Sequence, residues 1–163
     1  MLRNAVWTDF LNAKFGDEYL ILYISRQRYI RKLFKVVTVL LSAGGIWSAF
    51  NELKAFTVIS CTAIGAVQLI TSVETYIIHS EKDLDELCSL RLMYYTHSNK
   101  LEELWHNLTA LTEDEIRDRF FRIREDAKKI EELDNKINVR SHNKLKLEAD
   151  KKTRNYLKIY TNE

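Results

Sequence analysis

Two stretches without a charged residue stand out in the middle of a chain that is otherwise rich in charge. They cover residues 36–51 and residues 55–73, and only three residues separate them. With flanking apolar positions, each has the roughly 20 residues that an α-helix needs to cross a bilayer. The pattern predicts an all-α membrane protein whose transmembrane hairpin has spans at residues 33–51 and 55–78. The alternative, a pair of helices buried on all sides of a soluble core, is unusual for so small a domain.

Basic residues precede the first span and predict its orientation. They are Arg26, Arg28, Arg31, Lys32 and Lys35, and no acidic residue lies among them. Because positive charge stays on the cytoplasmic side of a membrane, both termini are expected in the cytoplasm and the hairpin in the inner (plasma) membrane. The same five side chains are expected to contact anionic lipid headgroups.

The lead-in at residues 1–32 begins with apolar residues at helical spacing, which are Trp7, Phe10, Leu11 and Phe15. This spacing is typical of an amphipathic helix. Two interpretations are open: the helix lies on the membrane surface, or it packs against the cytosolic part of the chain.

After the hairpin at residues 33–79, residues 80–163 are predicted to form a cytosolic, coiled-coil-like helical tail. Its first apolar stripe has a heptad-like phase that Arg91 and Ser98 interrupt, and comprises Leu84, Leu87, Tyr94, Leu101, Trp105 and Leu108. Thr112 and Glu115 have the spacing of a capping box, which predicts a helix start after a bend at residues 110–112. A second break is expected at residues 139–142, before a terminal helix.

A second apolar stripe follows the capping box and contains Ile116, Phe120, Ile123 and Ile130. An apolar seam of this kind needs a partner helix, either in the same chain or in another subunit. If the tail is an extended hairpin, one partner helix does not cover the stripe. We therefore expect these four residues to mediate homo-oligomerisation.

The composition favours long helices, but averaged over the whole chain it does not reveal the predicted membrane spans. The chain has no proline and four glycines, and proline and glycine are the residues that interrupt helices. Of the glycines, only Gly16, followed by Asp17, is expected to break a helix. Charged residues make up 29% of the chain, so its mean hydropathy is typical of a soluble protein, whereas the hydropathy of the two central stretches is not.

The sequence offers little for catalysis. It contains none of the phosphate-binding, nucleophile-elbow, zinc-protease or paired-cysteine motifs, and its four histidines do not fall at metal-ligand spacing. The acidic residues near the start of the tail are explained by a solvated helix. Net charge after residue 81 is near zero, which gives nucleic-acid binding no support. We therefore expect no enzyme, no cofactor and no metal.

Polar and small side chains line one face of each predicted span. On the second span this stripe falls within an arc of about 80° and comprises Thr57, Cys61, Gly65, Gln68, Ser72, Thr75 and His79. On the first span the corresponding residues are Thr38, Ser42, Gly45 and Ala49. Two interpretations are open: the stripes pack against each other within the hairpin, or the second lines a water-filled lumen in an oligomer.

This arrangement resembles the SLATT family, small proteins with two transmembrane helices encoded beside bacterial defence genes. The shared features are the basic lead-in at residues 7–35, the tight hairpin at residues 33–78, and the helical tail that begins HSEKDLDELCSLRLMYYTHSNKLEELWHNL. The resemblance implies a pore-forming effector of antiphage defence that oligomerises and permeabilises the inner membrane when triggered, as in abortive infection. It also implies a defence-system sensor protein or a cyclic nucleotide as a partner.

Two other functions remain open from the sequence. One is a non-lytic membrane scaffold whose tail recruits a partner protein. The other is an effector whose tail binds a nucleotide second messenger directly, which an entirely helical tail makes less favourable.

Overall fold

The structure of the protein, a computed structural model, describes the backbone of residues 2–50, 62, 65, 66, 68, 69, 72 and 79–161, and the side chains of all these except residues 41–50 and 161. Its continuous elements are four helices: α1 (Leu2–Phe50), α2 (Glu81–Asn107), α3 (Glu113–Ile137) and α4 (Asn143–Thr161). In this part of the chain no strand occurs, which confirms the all-α prediction. The predicted turn and most of the second span lie outside the described residues.

The chain divides into two compact units. The first, here called the helical unit, comprises Met1–Ile24 and Asp83–Glu163, and the second, here called the excursion, comprises Ser25–Lys82. The start of the lead-in and the tail, which the sequence separates, thus belong to one unit.

Two clusters of buried side chains form the core of the helical unit. The first contains Val6, Phe10, Ala13, Leu101, Leu104, Leu108, Ile116, Phe120 and Leu157. The second contains Tyr19, Leu20, Tyr23, Ile24, Leu84, Leu87, Leu90, Ile130 and Ala149. The apolar face of the N-terminal helix is therefore buried against the C-terminal helices, which is the second of the two interpretations left open for it.

The order of residues in these clusters gives the direction of the helices. Phe10 shares a cluster with Leu101, and Leu20 shares the other with Leu87, so α1 and α2 run antiparallel. By the same comparison, α3 runs antiparallel to α2 and α4 antiparallel to α3.

Polar contacts show that α3 packs on both α1 and α2. Arg124 of α3 forms an ion pair with Asp9 of α1 at 3.3 Å. The Lys100 ammonium of α2 donates to the Asp126 carboxylate of α3 at 2.6 Å.

The last helix, α4, also packs on both α1 and α2. The Lys14 ammonium of α1 lies 4.2 Å from the centre of the Tyr156 ring, and the Tyr156 hydroxyl donates to the Glu102 carboxylate of α2 at 2.6 Å. The contacts to α3 and to α4 come from different faces of the pair: Asp9 and Lys14 are about 140° apart around α1, and Lys100 and Glu102 are about 160° apart around α2. We conclude that α3 and α4 flank the α1–α2 pair from opposite sides.

The connection between α3 and α4 crosses α1 at Tyr19. The Tyr19 hydroxyl donates to the carbonyl oxygen of Arg140 at 2.7 Å and accepts from the backbone N–H of His142 at 3.1 Å. The ring of His142 stacks on Tyr23. These contacts satisfy backbone groups of the loop and fix its path between the two flanking helices.

Both predicted breaks in the tail are confirmed. The Thr112 side chain accepts from the backbone N–H of Glu115, whose carboxylate accepts from the backbone N–H of Thr112 at 2.9 Å, so the capping box is complete. At the other end of α3, Asn138 has a φ of 50° and terminates the helix in the left-handed conformation. The chain then turns into α4 at Asn143.

Gly16 does not break α1, contrary to the prediction from sequence. The helix continues through it, and a Cβ built at this position would lie 2.6 Å from ring atoms of Tyr94. The glycine therefore provides space for the Tyr94 ring of α2 against the α1 backbone. Close packing of the two helices, and not a break in α1, explains why a glycine occupies this position.

The two polar residues that interrupt the apolar stripe of α2 have partners in the helical unit. Arg91 Nε donates to Oδ1 of Asp17 at 3.1 Å, and Lys14 lies 3.7 Å from the other oxygen of that carboxylate. The Asp17 side chain is 2% exposed. Ser98 is buried and its hydroxyl donates to the carbonyl of Tyr95.

The stripe predicted to mediate oligomerisation lies inside the single chain. Ile116, Phe120 and Ile130 are buried in the two core clusters, and the half-buried Ile123 packs against the first. Their apolar character is thus accounted for by packing within the helical unit. Self-association stays a prediction and has to use other surfaces.

Candidate functional site

The candidate site is the excursion, and the helical unit holds its two ends side by side. Tyr23 and Ile24 immediately precede it, Leu84 and Leu87 follow it, and all four share one core cluster. The chain therefore leaves the helical unit and returns to it at one place.

The five basic residues predicted to contact lipid lie on α1 within the excursion. Arg26, Arg28, Lys32 and Lys35 are exposed. Arg31 is the exception, because its side chain is largely covered and forms an ion pair with Glu81 at 3.3 Å. The charge presented by this part of α1 is therefore positive.

Large apolar side chains are exposed on the same part of α1. Tyr29, Leu33, Val36, Val39 and Leu40 all have much of their surface uncovered, with 66% for both Val39 and Leu40. At about 100° per residue, Tyr29, Leu33, Val36 and Leu40 fall within an arc of about 60° on one face of α1, and Val39 lies about 60° beyond it. An apolar surface of this kind is unusual for a helix in water and indicates a surface that something else covers.

The polar stripe of the second span is described only in part. Gln68 and Ser72 are exposed, Gly65 and His79 are half-buried, and the Ser72 hydroxyl donates to the backbone carbonyl of Gln68 at 2.8 Å. No described side chain lies within 4 Å of a Cβ built at Gly65. The remaining members of the stripe, Thr57, Cys61 and Thr75, lie outside the described residues.

The stripe of the first span lies on α1. Thr38 is half-buried, and the backbone at Ser42, Gly45 and Ala49 is helical, although their surroundings lie outside the description. The two interpretations of these stripes, packing seam or lumen, therefore both stay open.

Among the helices that the structure describes, none is both long enough and apolar enough to cross a membrane.

The helical unit has a cleft that the sequence did not predict. It has a volume of about 640 Å³, and residues of α1, α2 and α3 line it, including Asp9, Tyr94, His97, Phe121 and Arg124. Burial lowers the pKa of the His97 imidazole, so the neutral ring is favoured there. The cleft forms where three helices meet, so the pattern of residues along any one helix could not predict it.

Some tyrosine hydroxyls in the helical unit are paired with carboxylates. Burial and the neighbouring Asp134 raise the pKa of Tyr94 to about 12. Burial, and then the hydrogen bond to Glu102, raises the pKa of Tyr160. These phenols stay protonated at neutral pH and act as hydrogen-bond donors that tie α2 to its neighbours.

The described residues contain no group of three or more histidine, cysteine, aspartate or glutamate side chains that could hold a metal ion.

No family model, no curated protein and no solved structure matches this chain.

Proposed function

We propose that the protein is a small membrane effector that oligomerises through its helical unit and permeabilises the bacterial inner membrane when triggered during phage infection. The observation that carries the proposal is the exposed apolar surface of α1 between Tyr29 and Leu40, beside exposed basic residues. Positive charge next to an apolar helical surface matches the boundary between lipid headgroups and acyl chains. The helix leads from there into the first of the two charge-free stretches.

The position of the two ends of the excursion supports a hairpin with both termini in the cytoplasm. Ile24 and Leu84 lie in one core cluster of the helical unit. Since the helical unit is a folded body with a polar exterior, its two connections to the excursion belong on one side of any bilayer that the excursion enters.

The defence setting comes from the resemblance to the SLATT family, and the pore comes from the polar stripe at Gly65, Gln68 and Ser72. A glutamine in the middle of a bilayer needs a hydrogen-bonding partner or water, and such residues are candidates for ion pathways. A trigger protein or nucleotide that acts on the helical unit completes the proposal.

A second candidate is a membrane scaffold whose helical unit binds a partner protein or a nucleotide second messenger. The cleft between α1, α2 and α3 favours it, because the cleft combines Phe121, which is 57% exposed, with charged groups of both signs. Partner binding at this cleft without leakage of the membrane is the outcome that distinguishes the scaffold from the effector.

Reporter fusions test the topology. A reporter before Met1 and one after Glu163 are both expected to report the cytoplasm, and a tag inserted between residues 51 and 54 is expected to report the opposite side. The reason is the excess of basic residues before the first span and the joined ends of the excursion. A periplasmic location for either terminus would contradict the hairpin.

Replacement of Gln68 tests the lumen. Leucine is favourable in hydrocarbon, so Gln68→Leu is expected to insert and accumulate normally. In a lumen, the added apolar side chain favours dewetting, and leakage of a small dye from cells that overproduce the protein should fall. In a packing seam, the change loses a hydrogen bond worth about 0.6 kcal/mol and lowers the amount of protein rather than the leakage per molecule.

The matched control is Leu69→Ile, one residue further along and 70% exposed. It exchanges one apolar side chain for another and is expected to leave both abundance and leakage unchanged. Full leakage from a normally abundant Gln68→Leu variant would exclude the lumen.

A further inference from the structure

The outward side of α3 carries carboxylates at heptad spacing. Asp118, Glu125 and Glu132 are all exposed, and at about 100° per residue they fall within an arc of roughly 40° opposite the buried Ile116. Among the described ion pairs, only that of Glu125 with Lys128 at 3.9 Å involves any of the three. The stripe therefore presents three carboxylates to its surroundings, with the exposed Lys128 and Lys129 at its borders.

One lysine, Lys136, falls in the same arc of α3. Its ammonium donates to the Glu86 carboxylate of α2 at 2.8 Å within the helical unit. It therefore does little to neutralise the three carboxylates.

The outward side of α4 carries lysines at the same spacing. Lys144, Lys151 and Lys158 are exposed, fall within a similar arc opposite the buried Thr153, and take part in none of the described ion pairs. Leu147, between the first two, is 72% exposed. This stripe presents positive charge around an apolar side chain that has no cover in the helical unit.

The two stripes are level with each other along the helical unit. Ile116 and Phe120, at the start of α3, share a core cluster with Leu157 near the end of α4. Ile130 and Ala149 share the other cluster. Because the helices run antiparallel, Asp118 is level with Lys158, Glu125 with Lys151, and Glu132 with Lys144.

We propose that the helical units of neighbouring copies associate head to tail, with the acidic stripe of α3 in one copy against the basic stripe of α4 in the next. The flanking helices lie on opposite sides of the α1–α2 pair, so each copy offers one stripe on each side. An interface between two different surfaces of the same chain produces a ring if the rotation closes, and a filament otherwise. This inference deepens the oligomerisation step of the proposed function and rests on it.

A second copy fits the lysine stripe better than a lipid surface does. From Lys144 to Lys158 the stripe runs 14 helical steps of 1.5 Å along α4, a length of about 21 Å. Lipid headgroups present no fixed spacing of charges along such a length. The acidic stripe, in contrast, matches all three lysines in spacing and in level.

The association is expected to be weak in dilute solution and to depend on salt. Exposed ion pairs contribute little individually and are screened as ionic strength rises. Anchoring in one membrane raises the effective concentration of copies that already share an orientation. Salt-sensitive assembly is therefore the signature to look for.

Charge reversal in the full chain in detergent micelles tests the interface, with sedimentation velocity as the measurement. One variant combines Asp118→Lys, Glu125→Lys and Glu132→Lys, a second combines Lys144→Glu, Lys151→Glu and Lys158→Glu, and a third carries all six changes. Each single-stripe variant is expected to associate at least about tenfold more weakly, because favourable pairs become repulsive ones. The third variant restores opposite charges across the interface and is expected to associate as the unchanged chain does. Helix content from circular dichroism checks that all three remain folded.

Failure of the six-fold variant to recover association would overturn the proposal, and so would single-stripe variants that associate normally. Vesicles containing anionic lipid serve as the competing probe. Two results together would show that a lipid surface is the partner of the lysine stripe and that the proposal is wrong. The lysine reversal would abolish binding of the protein to these vesicles, and the acidic reversal would leave association between copies intact. Dye leakage is measured separately. Normal association without leakage refutes the proposed function alone. Equal leakage from all variants despite lost association refutes the link between association of the helical units and permeabilisation of the membrane.

Cross-linking gives an independent test of the pairing. Two chains, one with Glu125→Cys and one with Lys151→Cys, both with serine at positions 61 and 88, are expected to form a disulfide when mixed. Either chain alone is expected to form much less. Equal cross-linking of a single variant with itself would indicate a symmetric interface and contradict the head-to-tail arrangement.

Discussion

Phe120→Asp is expected to unfold the helical unit, whereas Phe121→Asp is expected to leave it folded. The Phe120 side chain is 2% exposed and belongs to the first core cluster, while its neighbour is 57% exposed. Burying a carboxylate without a partner costs several kcal/mol, and loss of a core phenylalanine costs about 3–5 kcal/mol. That sum is comparable with the whole stability of a small domain.

Thermal unfolding of the full chain in detergent, followed by circular dichroism, measures the difference between these two variants. Surface substitutions usually change stability by less than about 0.5 kcal/mol, so Phe121→Asp should unfold near the temperature of the unchanged chain. Similar unfolding temperatures for both variants would mean that Phe120 is not in the core. If Phe120→Asp stays folded and only loses assembly, the stripe mediates contacts between copies, as the sequence first suggested.

The second large effect is expected at Asp17, whose carboxylate lies between Arg91 and Lys14 in the helical unit. Asp17→Ala leaves the ammonium of Lys14, itself buried, without a counter-ion. Removal of one partner from a buried ion pair costs about 3–5 kcal/mol. Because Arg91 is 44% exposed and can turn toward water, we expect about 2–4 kcal/mol here.

Asp126→Ala is the matched control, since Asp126 also pairs with a basic residue of α2 but is well exposed. Solvent screens that pair, so the unfolding midpoint should change little. Denaturant titration of both variants measures the comparison. Equal destabilisation at the two positions would show that burial does not determine the contribution of these ion pairs.

The local features of the helical unit were predictable from the sequence because they depend on residues close together in the chain. The capping box at Thr112 and Glu115 involves one turn of helix, and the break before α4 follows from the loss of apolar periodicity. The amphipathic face around Phe10 was also predictable. What covers that face was not, because periodicity shows which side of a helix is apolar and does not identify the partner.

Other features depend on contacts between residues distant in the chain. The sequence predicts a helix break at Gly16, whereas the role of this glycine depends on Tyr94 of α2, which packs against it. Arg91 interrupts the apolar stripe of α2 in the sequence, and its partner Asp17 lies on another helix. For the candidate site, the structure shows exposed basic and apolar residues on α1, while the membrane boundary, the hairpin and the use of its polar stripe stay predictions.

The division of the helical unit between the two ends of the chain determines the order in which the protein can fold during synthesis. The N-terminal helix leaves the ribosome first, with Phe10 uncovered, and its partners Leu101 and Leu104 are made only after the whole excursion. Residues 33–78, which the proposed function places in the bilayer, are thus synthesised before the helical unit can close. A chain that stops before α2 has an apolar N-terminal face and no core, so early termination yields a product prone to aggregation or degradation rather than a partly active protein.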